Sequence, residues 1–107
     1  MLYKFKSKAG ADVIMLEAQG KQVLQWLQRD PLAPGIVRHA EMAEAMGAIE
    51  AAITAEELRL QALIDEAVAR GDAPPPQPAI SARKRCWPLL ELMRHSLQNQ
   101  ADLVWGV

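Results

Sequence analysis

Apolar and polar positions alternate with a period of two at the start of the chain, and with a period near 3.6 almost everywhere after it. Tyr3 and Phe5 interleave with Lys4, Lys6 and Lys8, the spacing of a half-buried strand. Ala9-Gly10-Ala11-Asp12 supplies turn chemistry, and Val13-Ile14-Met15-Leu16 is a short apolar run with β-branched members. Together they predict a β-hairpin within the first seventeen residues.

The helical period begins near Ala18-Gln19-Gly20. Val23, Leu24 and Leu27 fall at i, i+1 and i+4 with Trp26 beside them, and Asp30-Pro31 ends the segment because the residue before a proline leaves the α region. Pro34-Gly35 is expected to continue the turn. From Ala40 to Arg70, Met42, Met46, Ile49, Ile53, Leu60, Leu63, Ile64 and Val68 recur at threes and fours. An unbroken helix of that length would span about 46 Å. Thr54-Ala55-Glu56-Glu57 is a candidate internal capping box, but the reading adopted is a continuous or gently bent helix closed by Gly71 at C′. Residues 72–79 hold Pro74, Pro75, Pro76 and Pro78 and read as a stiff extended linker that reverses the chain. Ser81 is the expected N-cap of a last helix reaching about Gln100, with Trp87, Leu90, Met93 and Leu97 on its stripe. Pro88 is expected to kink that helix or mark a restart. Leu103-Val104-Trp105 reads as a terminal strand, which would make a three-stranded sheet if paired to the hairpin.

The expected fold is therefore α+β: a hairpin joined by a C-terminal strand and packed by three or four helices, all in one domain over residues 1–107. At 107 residues, half of them apolar, the chain can bury one core without staples. The formal net charge of −1 gives no overall bias toward nucleic acid or an anionic membrane. Cys86 has no second cysteine to pair with, which suits a reducing compartment. No stretch approaches the length of about 20 apolar residues that spans a bilayer, and the first lysines have no apolar region behind them. The expected location is the cytoplasm, with no membrane partner.

Net charge conceals an asymmetry. Seven acids (Glu41, Glu44, Glu50, Glu56, Glu57, Asp65, Glu66) face two arginines between Ala40 and Arg70, whereas the last helix carries Arg83, Lys84, Arg85 and Arg94 against Glu91. An antiparallel hairpin of these two helices would set opposite charges beside each other. Solvated faces with little energetic weight are the alternative.

The opening MLYKFKSKAGADVIML, the Ala-rich central helix, RKRCWPLLELMR and the terminal VWGV resemble the small bacterial family known as domain of unknown function 1840. Trp87-Pro88 and Val104-Trp105-Gly106-Val107 carry the resemblance most sharply. It implies a cytoplasmic bacterial protein of one domain, and it implies no activity, substrate, cofactor or catalytic residue.

Candidate chemistry is sparse. His39 and His95 lack the ligand spacing of a zinc site and no H-E-x-x-H is present, so no metal is expected. Cys86 follows three basic residues, which would favour a thiolate, but it lies one position from the Trp87 stripe and reads as a half-buried structural thiol. Phosphate-cradling and nucleophile-elbow motifs are absent from the sequence. Glu56 and Glu57 are adjacent and point to different helix sectors, which makes a poor acid–base pair.

Two surfaces remain. Lys4, Lys6 and Lys8 on one strand face and Arg83, Lys84 and Arg85 on the last helix would form a phosphate-binding patch if they met, although Tyr3 and Phe5 face away from the lysines. Met42, Met46, Ile49 and Ile53, with Trp87, form either internal core or a partner interface. The expected function is that of a non-enzymatic interaction or structural protein without a cofactor, binding a protein partner or itself as a homodimer. Weak nucleic-acid or phosphate binding through the basic clusters is the second expectation.

Overall fold

The computed structural model describes residues 2–106 and has the α+β architecture that the sequence predicts. Strands β1 (Leu2–Ser7) and β2 (Gly10–Leu16) form the hairpin, and β4 (Leu103–Trp105) pairs antiparallel with β1. A fourth strand, β3 (Gly35–Val37), pairs antiparallel with β4, giving the order β2-β1-β4-β3. The sheet thus has four strands rather than three. Pro34-Gly35 looked like turn chemistry, and β3 is only three residues long. What makes it a strand is its pairing with residues almost seventy positions away. The hairpin turn is also tighter than expected: Ser7 pairs with Gly10, so Lys8 and Ala9 form the turn and Asp12 lies within β2.

Helices α1 (Glu17–Trp26) and α3 (Ala82–Gln98) pack against the hairpin on one face of this sheet, and α2 (Met42–Ala69) packs on α3 and α1. A single 3-10 turn, His39–Glu41, leads into α2. Helix α2 is continuous through Thr54, and α3 is continuous through Pro88, which lies on its exposed side. Ser81 caps α3 as expected, its hydroxyl accepting the Lys84 N–H at 3.2 Å.

All three helices end in the same way. The residue after the C-cap has positive φ (Gln28 at 58°, Gly71 at 77°, Gln100 at 53°). In each case the following N–H reaches back five residues to a helix carbonyl: Arg29 to Leu24, Asp72 to Ala67, Ala101 to Ser96. These are Schellman motifs, which satisfy carbonyls left over at a helix end. Gly71 announced its motif in the sequence. The two glutamines did not, which is why α1 and α3 stop two or three residues before their expected ends.

The core lies between sheet and helices. Tyr3, Phe5, Met15 and Trp105 from the sheet meet Leu24 of α1, Ile49 and Ile53 of α2, and Leu89 and Met93 of α3. Tyr3 Oη donates to the Pro31 carbonyl at 2.8 Å, tying the post-α1 loop to β1. The molecule measures 51 × 28 × 22 Å with a radius of gyration of 15.7 Å. About 13 Å is typical for a compact chain of this length. The excess fits α2, whose 28 residues extend for about 42 Å. Buried residues on α2 are Met42, Ile49, Ile53 and Ala67, so most of the cover lies over its first half.

Candidate functional site

The apolar stripe nominated as an interface is mostly core. Met42, Ile49 and Ile53 are fully buried, and Met46 is partly buried against the same cluster. That corrects the interface reading for these four residues: α3 and α1 pack on α2, and the stripe joins the core within one chain. Trp87 behaves differently and remains 58% exposed, whereas Trp105 is buried and Trp26 packs against the core.

The two basic clusters are not brought together as units. Arg83 turns toward α2, where it grips both Glu57 carboxylate oxygens at 2.8 and 3.1 Å and reaches Glu50 at 3.1 Å. The antiparallel pairing of acidic and basic helices therefore has a direct ion-pair bridge. Hydrogen bonds from Arg83 hold the Glu57 carboxyl below the usual carboxylate range, and the pair raises the Arg83 guanidinium further. Arg85 lines a shallow depression with Ile14, Leu16 and Ile80, so it alone of the three reaches the hairpin edge. Lys84 is exposed.

Cys86 is buried, and burial raises its thiol above the ordinary range against the opposing pull of Arg85. It lines a cleft of about 170 Å³ between α1, α2 and the proline linker. Glu56 and Glu57 stand at this cleft but are engaged by Arg59 and Arg83, and no histidine is among the described residues lining it. The thiol therefore has no positioned base there. His39 is exposed, its backbone N–H bound to Asp102 at 2.8 Å, and His95 sits 3.9 Å from Glu91 on the surface of α3. Among the described residues no group of three or more His, Cys, Asp or Glu side chains is placed to hold a metal.

The feature that sequence reasoning missed is the outer face of the sheet. Cross-strand register puts Leu2 opposite Leu16, Lys4 opposite Ile14, and Lys6 opposite Val104, which itself faces Ile36. All of these point away from the helices, because their neighbours Tyr3, Phe5, Met15 and Trp105 point into the core. Leu2, Ile14 and Leu16 are 60%, 56% and 65% exposed. An antiparallel sheet with one solvated face normally shows polar side chains there. Here five of the seven side chains named are apolar and the other two are lysines. The available signal was the unbroken run Val13-Ile14-Met15-Leu16, which is apolar on both faces of a strand.

Residues 1–105 match the family described as Domain of unknown function (DUF1840). The chain belongs to this family. The match covers both strands of the hairpin, all three helices and β4, so the whole fold above is the family's domain. Comparison with curated proteins and with solved structures gave no match. The DUF1840 description carries no activity, so function rests on the geometry of the surfaces. Among the described residues no helix is long and apolar enough to cross a membrane.

Proposed function

We propose that this DUF1840 protein is a non-catalytic interaction protein that associates with itself, using the uncovered outer face of its sheet, in a bacterial cytoplasm. The observation that carries the reading is β2, a strand apolar on both faces in a chain that covers only one of them. Met15 is buried while its neighbours Ile14 and Leu16 are more than half exposed. Exposed apolar patches of this kind mark binding surfaces. The engaged carboxylates and the buried thiol support the absence of catalysis. A lone buried cysteine suits a reducing compartment.

Magnitudes indicate the kind of association. Burying the exposed parts of Leu2, Ile14 and Leu16 contributes about 1 kcal/mol each. That is less than the ~4–15 kcal/mol lost in restricting two free bodies. Further contact area and the charges of Lys4 and Lys6 must contribute, so the association is expected to depend on both concentration and salt.

Nucleic-acid or phosphate binding draws less support. Of the helix cluster Arg83 is engaged by Glu50 and Glu57 while Arg85 reaches the hairpin edge, and the sheet aromatics are buried on the opposite face.

Light scattering after size exclusion, over a concentration series at low and high salt, tests the proposal. A mass above the monomer that falls on dilution and with added salt is expected. A monomer at every concentration would remove self-association.

A further inference from the structure

We infer that the occupant of the open sheet face is a second copy of this chain, which lays the distal half of its own α2 across Leu2, Ile14 and Leu16. The inference rests on the self-association proposed above and names the surface that meets the sheet.

Two observations point to that helix. The first is its unfinished apolar stripe. Leu60, Leu63, Ile64 and Val68 continue the face that buries Ile49 and Ile53, at i, i+3, i+4 and i+8. Beyond Ile53 the cover thins: Ala67 is buried, but Leu60 and Ile64 are only half-buried, Leu63 is 39% exposed and Val68 is 61% exposed. From Leu60 to Val68 the helix rises about 12 Å. Three strand spacings across the sheet make about 14 Å. A helix of this length therefore fits the width of the open face, and helix on sheet is how an uncovered sheet is ordinarily completed.

The second observation is charge. Residues 56–72 hold five acids (Glu56, Glu57, Asp65, Glu66, Asp72) and two arginines (Arg59, Arg70), a net −3. Even with Arg83 bound to Glu57 the segment keeps a net −2. The hairpin presents Lys4, Lys6 and Lys8 against Asp12, a net +2. The chain thus carries a basic apolar face and an acidic apolar helix, each complementary to the other on a neighbouring copy. Two sheets packed face to face would instead set lysines against lysines.

The test is complementation between two variants. One carries Lys4→Glu and Lys6→Glu on the sheet. The other carries Leu63→Lys and Val68→Lys on the helix. All four sites lie at the surface or its edge, and far-UV circular dichroism checks that each variant is folded. Each variant alone is expected to lose the heavier species at a concentration where the native chain is assembled. An equimolar mixture is expected to recover it, because one copy's native helix then meets the other's native sheet. A helix variant that still assembles, or a mixture that stays monomeric, overturns the inference and leaves self-association standing. Assembly lost in Trp87→Ser but kept in both double variants moves the contact to α3 and also overturns it. A native chain that is monomeric throughout removes both readings. If that monomer binds phosphatidylglycerol vesicles but not phosphatidylcholine vesicles, and Lys4→Glu with Lys6→Glu abolishes the binding, the face belongs to a lipid surface.

Discussion

The indole of Trp105 lies directly over Gly35, its register partner across β4 and β3. A Cβ on Gly35 would stand 2.3 Å from Cζ2 and 2.6 Å from Cε2 of that ring. The glycine is what lets a large aromatic lie flat on a neighbouring strand, and the ring covers backbone that a bare glycine would expose. Trp105 is buried and tilts against Phe5 with ring centroids 6.0 Å apart, so the contact joins the edge strand β3 to the core.

Gly35→Ala is therefore expected to destabilise the fold by about 1–3 kcal/mol, because the ring or the strand must shift to admit the new Cβ. Denaturant unfolding followed by tryptophan fluorescence measures it. An unchanged midpoint would mean that β3 and β4 separate easily.

The helix ends predict opposite signs for two substitutions. Nothing lies within 4 Å of a Cβ on Gly71, so Gly71→Ala reports only the positive φ of 77° and should cost about 1 kcal/mol. Gln28 holds the equivalent position of α1 at φ 58°, and Gln28→Gly should stabilise by a similar amount. Thermal melts of the two variants are expected to shift in opposite directions.

A chain of hydrogen bonds fastens the hairpin turn to α3. Ser96 is fully buried and donates to the Leu92 carbonyl at 2.7 Å, so at its 2.7 Å contact with Ser7 it is Ser7 that donates. Ser7 in turn accepts the Ala9 N–H at 3.2 Å. Ser96→Ala leaves the Ser7 hydroxyl without its acceptor and should cost about 1–2 kcal/mol. Urea unfolding tests this, and amide exchange at Ala9 should quicken.

Cys86 should react slowly with a disulfide reagent in the native protein and at an ordinary rate once unfolded. Its thiol is buried and titrates above the usual range, so little thiolate is present or accessible. The sign for stability follows. The folded state holds this proton more tightly, so the contribution is complete below the ordinary thiol range and is lost as pH rises through it. Equal rates in native and denatured protein would show a reactive thiol.

At the acid end Arg83 governs the response. Glu57 titrates below the usual carboxylate range in the folded state because Arg83 donates to it. That stabilisation is present above the usual range and disappears as pH falls through it. Arg83→Gln should lower stability at neutral pH and make little difference near pH 3, a contrast read from urea midpoints at both conditions. The effect is modest because the partners are close to half exposed.

Much of the fold was legible in the chain because it is set by neighbours in sequence. The alternation of Tyr3 and Phe5 with lysines, the periodicity through α2, the Ser81 cap and the glycine at 71 each act within one or two turns of backbone. The strand at Leu103–Trp105 could be named for the same reason. Other features depended on distant partners. Strand β3 exists because Gly35–Val37 meets β4.

The surfaces divide along the same line. The sequence by itself determined that Met42, Met46, Ile49, Ile53, Ile14 and Leu16 all need cover, since a hydrophobic period marks a face that water disfavours. Only the tertiary structure decided that the first four find it within the chain while Ile14 and Leu16 do not. It likewise sent Arg83 to Glu50 and Glu57 and left Lys4 beside open apolar surface. The physical reason is that periodicity records a demand for burial, and which element meets that demand depends on layers assembled from residues far apart in the chain.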